Sequence, residues 1–248
     1  PRNQQVQREM ESMFTDHLKR IGAYIPPDRL ELMQEPADPF PVKASVIIPV
    51  KNRRNTISDA IHSAITQEAD FTFNVIVIDN HSTDGTTDVV ADLAEKNPAI
   101  VHLVPDRHDL GIGGCWNLGI NDRACGRYAV QLDSDDLYEN QLVLETIVDT
   151  MRDGSYAMVV GSYTVVNEHL EQIPPGLIDH REWTDANGHN NALRVNGLGA
   201  PRVFSTTVMR RIGFLNVSYG EDYSAALRIS RQYKIGRIYE SLYLCRRW

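Results

Sequence analysis

The chain has 248 residues, of which 42% are hydrophobic and 23% charged, with a formal net charge of −8. That balance gives a globular chain able to bury a full core, and it argues against disorder and against nucleic acid as a partner. Three cysteines (Cys115, Cys125 and Cys245) without C-x-x-C spacing argue against a disulfide framework or a zinc site, and fit a reducing, cytoplasmic compartment.

Residues 3–22 carry Val6, Met10, Met13, Phe14, Leu18 and Ile21 at near-helical spacing, which predicts an amphipathic helix. Pro26, Pro27, Pro36, Pro39 and Pro41 then forbid regular structure in much of the next stretch. Residues 1–43 read as an N-terminal helical and proline-rich extension that packs on the main domain or on a partner. Its helix leaves open homodimerisation or peripheral contact with the inner face of a membrane.

The main domain, 44–248, opens with the apolar run Ser45-Val46-Ile47-Ile48-Pro49-Val50, as a strand buried on both faces requires. A helix over 56–68 follows, with Ile57, Ala60, Ile61, Ala64 and Ile65 on one face. Residues 74–79 form a second buried strand, and Asp84-Gly85-Thr86 opens a helix to about Lys96. A strand at 100–104, a helix at 113–124 and a strand at 128–133 complete the run. Strict alternation predicts right-handed βαβ units and a mainly parallel α/β sheet flanked by helices. Beyond Asn140 the pattern predicts a helix to about Arg152, a strand over 158–166 and a loop-rich stretch over 167–200. Helices over 204–212 and 222–232 and a strand over 238–244 follow. No apolar run reaches the ~18–20 residues that span a bilayer, and no signal peptide is present. The chain starts at Pro1 without Met and ends on an aromatic-basic segment, as expected of a piece of a longer protein.

Four loops follow strands, and in a parallel sheet such C-terminal ends converge on a ligand edge. The first is Pro49-Val50-Lys51-Asn52-Arg53, which offers cations to an anion. The second, 78–86, puts Asp79 at a strand end, suited to accept hydrogen bonds from a base or ribose, and Asp84 at a helix cap. The third, Asp109-Leu110-Gly111-Ile112-Gly113-Gly114-Cys115-Trp116-Asn117, is glycine-rich, but Trp116 breaks a G-x-G-x-x-G match. Its glycines allow backbone to approach a ligand. The fourth is Asp133-Ser134-Asp135-Asp136, where a hard divalent cation such as Mg²⁺ or Mn²⁺ would answer the crowded carboxylates. A polar turn with a helix cap is the plainer reading of that tetrapeptide.

Together, the segments 45–52, 75–86 and 132–136, in this order and spacing, resemble the large inverting GT-A glycosyltransferase family, family 2. Asn117-x-Gly119-Ile120 resembles that family's Arg-Asn-x-Gly helix, although Trp116 stands where the Arg would be. The resemblance implies a GT-A, Rossmann-like fold and a nucleotide-sugar site, with a donor half at about 44–136 and an acceptor half at about 137–248. It implies that Asp79 meets the nucleobase with Pro49, Val50 and Asn52 around it. Asp133 would lie near ribose and sugar, and Asp135 would be the main ligand of a Mn²⁺ or Mg²⁺ on the diphosphate. The contact of the missing Arg then falls to Lys51, Arg53 or Arg107.

Inverting transfer needs a base for the acceptor hydroxyl. Tyr219-Gly220-Glu221-Asp222-Tyr223 resembles the family's Glu-Asp element, which makes Asp222 the candidate base and Glu221 its partner or alternative. Arg228 matches the family's following Arg loosely and would support the diphosphate or brace the acids. The last residues, Leu244-Cys245-Arg246-Arg247-Trp248, echo the Gln-x-x-Arg-Trp of processive synthases, with Leu at the Gln position. From Ala200 onward nine Arg or Lys face three acids, consistent with an anion or headgroup-facing surface or with solvated helix faces. Trp183 and His189 are candidates for contact with an acceptor sugar, and His81, His102 and His108 read as ordinary loop histidines.

The function expected is transfer of a sugar, with UDP as the favoured nucleotide, to a hydroxyl of a glycan or lipid-linked saccharide. The alternative is a nucleotide-binding, non-catalytic module of a polysaccharide assembly. A nucleotidyltransferase is disfavoured, because the first loop lacks glycine.

Overall fold

The computed structural model describes residues 4–34, 39–181, 185–195 and 197–248. Strands β1 (Ala44–Val50), β2 (Phe73–Asp79), β3 (Ile100–Leu103) and β4 (Tyr128–Gln131) alternate with helices α2 (Ile57–Ile65), α3 (Thr86–Lys96) and α4 (Ile112–Asn121). These four strands pair in the order β3-β2-β1-β4, all parallel, as their alternation requires. Side chains leave β1 alternately to its two faces. Val46, Ile48 and Val50 meet Ile57 and Ile61 of α2, together with Leu144 and Ile147 of α5 (Val143–Asp153). Ile47 points the other way, into a second cluster with Ile76, Ile78, Trp116 and Ile120. Burial at about 1.5–3 kcal/mol per large aliphatic side chain makes this two-faced strand the centre of the fold.

Beyond β4 the sheet becomes mixed. β8 (Arg202–Ser205) runs antiparallel to both β4 and β6 (Met158–Val166). β9 (Ile235–Arg246) follows parallel to β6, and the two-residue β5 (Leu137–Tyr138) closes the far edge. Residues 202–205 therefore correct the expected helix over 204–212: the helix, α7 (Thr206–Ile212), starts after a buried strand. A four-residue strand, Arg202-Val203-Phe204-Ser205, abutting a helix has no period of its own.

The stretch expected to be loop-rich holds β7 (Gln172–Ile178), paired antiparallel to β6, and the short α6 (Gly188–Asn191). Pro174-Pro175-Gly176 reads as a turn but is tolerated because β7 pairs on one side only. Helix α1 (Gln4–Arg20) buries Leu18, and its neighbourhood docks on this stretch. Asn187 Nδ2 donates to Thr15 Oγ1 at 2.8 Å, and Ile25 N–H donates to Asn190 Oδ1 at 3.1 Å. Thr15 and Ile25 thus tie the N-terminal residues to the 187–190 stretch. No helix among the described residues is long and apolar enough to cross a membrane.

Candidate active site

The C-terminal ends of β1 and β4 open onto a cleft of about 250 Å³. Pro49 and Arg53 come from the loop after β1, and Asp133 and Asp135 from the turn after β4. Arg202 comes from the start of β8, and Glu221 and Asp222 from the first turn of α8 (Glu221–Ser230). Because β8 is antiparallel to β4, with Val203 opposite Val130, the beginning of one strand and the end of the other share this edge. Gly220, at φ 77°, supplies the left-handed turn that delivers Glu221 and Asp222. Trp116, Phe204 and Phe214 form the apolar wall, with Trp116 and Phe214 ring centres 5.2 Å apart.

Four carboxylates and two guanidiniums face this space. Arg53 Nε lies 3.4 Å from Asp135 Oδ2, and Arg202 Nη2 lies 2.6 Å from Asp222 Oδ2. Desolvation pushes the Asp133 carboxyl above the usual range, although Gln131 donates to it at 3.0 Å. Burial also raises Glu221, whose Oε2 is buried without a hydrogen-bond partner. Desolvated carboxylates outnumbering cations fit a divalent ion that brings its own charge. Among the described residues no group of three or more His, Cys, Asp or Glu side chains is arranged to hold a metal by itself. Asp133 and Asp135 therefore suit an ion such as Mg²⁺ that takes one or two protein carboxylates and completes its shell with phosphate and water.

The family model for glycosyl transferase family 2 matches residues 45–215, which span the loops after β1, β2 and β4 and also β8. The chain belongs to glycosyl transferase family 2. It is 29% identical over 205 residues to an uncharacterized glycosyltransferase of Rickettsia conorii, an alignment covering 81% of this chain and 32% of that protein. The chain thus spans about a third of that relative's length. Its fold is similar to that of residues 1–349 of S. aureus TarS in complex with UDP-GlcNAc, with a TM-score of 0.67 at 21% identity, covering 83% of this chain and 59% of that one. The mannosyltransferase PcManGT from Pyrobaculum calidifontis, in complex with GDP-Man and Mn²⁺, gives a TM-score of 0.61 at 18% identity over 98% of this chain and 65% of its own.

Within this family 2 chain, the cleft unites Pro49, Asp133, Asp135, Glu221 and Asp222, and other expected residues do not line it. Asp79 is fully buried. Its Oδ1 accepts from Ser82 N–H at 3.0 Å and its Oδ2 from Thr87 Oγ1 at 2.5 Å, so it shapes its own loop and has no face on the cleft. Val50 is 3% exposed, in the core under α2. Asn52, at φ 54°, accepts from Thr83 N–H and ties the first loop to the second. Asn117 turns away from the cleft and exchanges two 2.8 Å bonds with the backbone of Phe214. Arg228 is exposed and donates to the Gly213 carbonyl at 3.4 Å.

The glycine-rich segment also departs from expectation. A Cβ on Gly113 would overlap the Leu215 carbonyl oxygen, and Gly113 N–H donates to Val217 O at 3.0 Å. The close approach that glycine permits is made by the chain's own 215–217 segment, not by a ligand. Asp136 and Arg246 form a structural tie: Arg246 N–H donates to Asp136 Oδ1 at 2.8 Å, and its guanidinium pairs with Asp59 at 2.9 Å. His189 hydrogen-bonds Ile25 O at 2.8 Å and lines a separate cavity with Pro27 and Lys234. Trp183 lies outside the described residues. Of the three substitutes for the missing Arg, Arg53 lines the cleft, whereas Arg107 is paired with Asp109 at 2.6 Å.

Sequence reasoning missed Arg202 and Gln131. Neither lies in a motif, and they meet only because β4 and β8 pair. The one available signal was an Arg directly before an apolar run, at a strand start rather than inside a loop.

Proposed function

We propose that this glycosyltransferase moves a sugar from a nucleoside diphosphate donor, with UDP as the nucleotide, to an acceptor hydroxyl with inversion. The observation that carries this reading is the meeting of Asp133 and Asp135 with Glu221 and Asp222 on one cleft at the sheet edge. The two pairs of carboxylates come from segments some 86 residues apart in the chain, as suits one pair serving the donor and the other the acceptor.

Asp222 accepts the acceptor hydroxyl proton as that oxygen bonds to the anomeric carbon. The bond from that carbon to the diphosphate breaks on the opposite face, and its electron pair leaves with the nucleotide. Asp135, with Asp133, would hold Mn²⁺ or Mg²⁺, and the bound ion supplies positive charge to the leaving diphosphate. Arg53 adds a guanidinium on the same side. Trp116, Phe204 and Phe214 keep water from one wall, which strengthens the charges opposite.

The donor half is residues 44–136 and the acceptor half 137–248. The acceptor is a glycan or a lipid-linked saccharide. The exposed rim formed by Ile112, Leu215, Val217 and Tyr219 beside the cleft supports an extended acceptor over a small one. Work at the cytoplasmic face of a membrane fits the exposed Val6, Met10 and Met13 on α1.

The test is thermal stabilisation by UDP, GDP, ADP and CMP, each with Mn²⁺, with Mg²⁺ and with chelator. A metal-dependent rise in Tm with UDP, lost in Asp135→Ala, is the expected result. No shift with any nucleotide would overturn the donor assignment.

A further inference from the structure

The most constrained side chain at the cleft belongs to no sequence motif. Arg202 has only 9% of its side chain exposed and spends all three guanidinium nitrogens. Nη2 lies 2.6 Å from Asp222 Oδ2, Nη1 donates to Gln131 Oε1 at 2.8 Å, and Nε donates to Leu198 O. Gln131 then donates from Nε2 to Asp133 Oδ1 at 3.0 Å. Gln131 is itself held, because Tyr138 Oη donates to its backbone carbonyl at 3.0 Å. Two intervening side chains thus connect Asp222 to Asp133, one from each half of the domain.

We infer that Arg202 is a positioning residue, which through its planar fork fixes Asp222 in register with Asp133 across the cleft. The inference rests on the reading of Asp222 as the base. A guanidinium has donors in fixed directions, so holding Gln131 with one nitrogen sets where the next presents itself to Asp222. A base must stand within hydrogen-bond reach of the acceptor hydroxyl while the donor stays still, and small misplacements are costly in rate. The alternative is a brace between β8 and α8 that acts on stability alone.

The two roles separate in a double-mutant cycle. Wild type, Arg202→Met, Arg202→Lys, Asp222→Asn and the Arg202→Met/Asp222→Asn double variant are compared on UDP-glucose, UDP-galactose and UDP-GlcNAc. Turnover is read as release of UDP with water as the acceptor, alongside KM and Tm. Positioning predicts that Arg202→Met lowers kcat by about tenfold or more, with KM within about threefold. In the Asp222→Asn background the same change costs less than about twofold, because the group it orients is gone. Arg202→Lys recovers little, since one ammonium cannot span both acceptors. Wild-type kcat in Arg202→Met, or an equal loss in both backgrounds, would overturn the inference. Gln131→Leu cuts only the arm to Asp133 and serves where Arg202→Met does not fold; a wild-type kcat there removes the coupling to Asp133.

Failure of the functional reading has a different signature: no UDP release by wild type and no stabilisation by UDP. Crystal structures of wild type and Arg202→Met then decide. A displaced Asp222 carboxylate upholds the orienting role of Arg202 apart from catalysis, and an unmoved one overturns it.

Discussion

Asn117 holds Phe214 the way one strand holds another: its Oδ1 accepts from Phe214 N–H and its Nδ2 donates to Phe214 O, both at 2.8 Å. One side chain on α4 thereby fixes the start of the segment that leads to Glu221 and Asp222. Asn117→Ala leaves two backbone groups without partners, at about 1–3 kcal/mol each when desolvated. We expect Tm to fall by several degrees and kcat to fall with it, while stabilisation by UDP per unit concentration is retained. Unchanged Tm would show that the pair bears no load.

Glu221 and Asp222 are adjacent but differently placed, and the variants should differ accordingly. Asp222 has 33% of its side chain exposed, toward the cleft, whereas the Glu221 residue is 7% exposed. Asp222→Asn is expected to lower kcat by about 10²–10⁴-fold, the span of general base catalysis. Glu221→Gln keeps the shape and removes a desolvated carboxyl, so it should cost less than about tenfold. Steady-state rates of the two variants check this, and a full rate in Asp222→Asn removes the base assignment.

Asp136 gives the domain a pH dependence of stability. Burial first, then the neighbouring Asp133 carboxylate, pushes its pKa up to about 7. A carboxyl raised in the folded state contributes stability that is fully present below its unfolded pKa and is lost as pH rises through about 7. In chelator, wild-type Tm should therefore decline between pH 5 and pH 8, by an amount on the order of a few kcal/mol in stability. Asp136→Asn keeps an oxygen for Arg246 N–H and should flatten that decline. A slope equal to wild type in thermal melts at these two pH values would refute it.

Gly113→Ala tests the interlock between the glycine segment and residues 215–217. The added methyl overlaps a backbone carbonyl, which cannot swing aside as a flexible side chain does. A loss of about 2–4 kcal/mol is expected, read as a drop in the denaturation midpoint with an unchanged m-value.

How much of this was legible beforehand depended on range. The four parallel strands and their loops could be read because each is a continuous apolar run closed by turn residues. Asp133 and Asp135 lie beyond such an end, and they meet Glu221 and Asp222 of the first turn of α8. β8 could not be read, because four buried residues running straight into a helix carry no period, and with β8 went Arg202 and its pairing to Gln131. Asp79 and Asn117 have partners that their motifs do not reveal. Both carry polar side chains at motif positions, and both satisfy them inside the protein: Asp79 on the residue three ahead, a local Asx-type bond, and Asn117 on a backbone nearly a hundred residues away.

The antiparallel entry of β8 also has a consequence for biosynthesis. β4 finds its second neighbour only at residues 203–205, more than seventy positions downstream. A ribosome that has released the chain through β4 presents Tyr128–Gln131 as a bare edge, a form of strand prone to pair with another chain. Translation must run on through β6 and α6 before that edge is covered, and the cleft is complete only with Asp222. Truncations ending between residues 136 and 202 should therefore aggregate rather than fold, even though they retain Asp133 and Asp135.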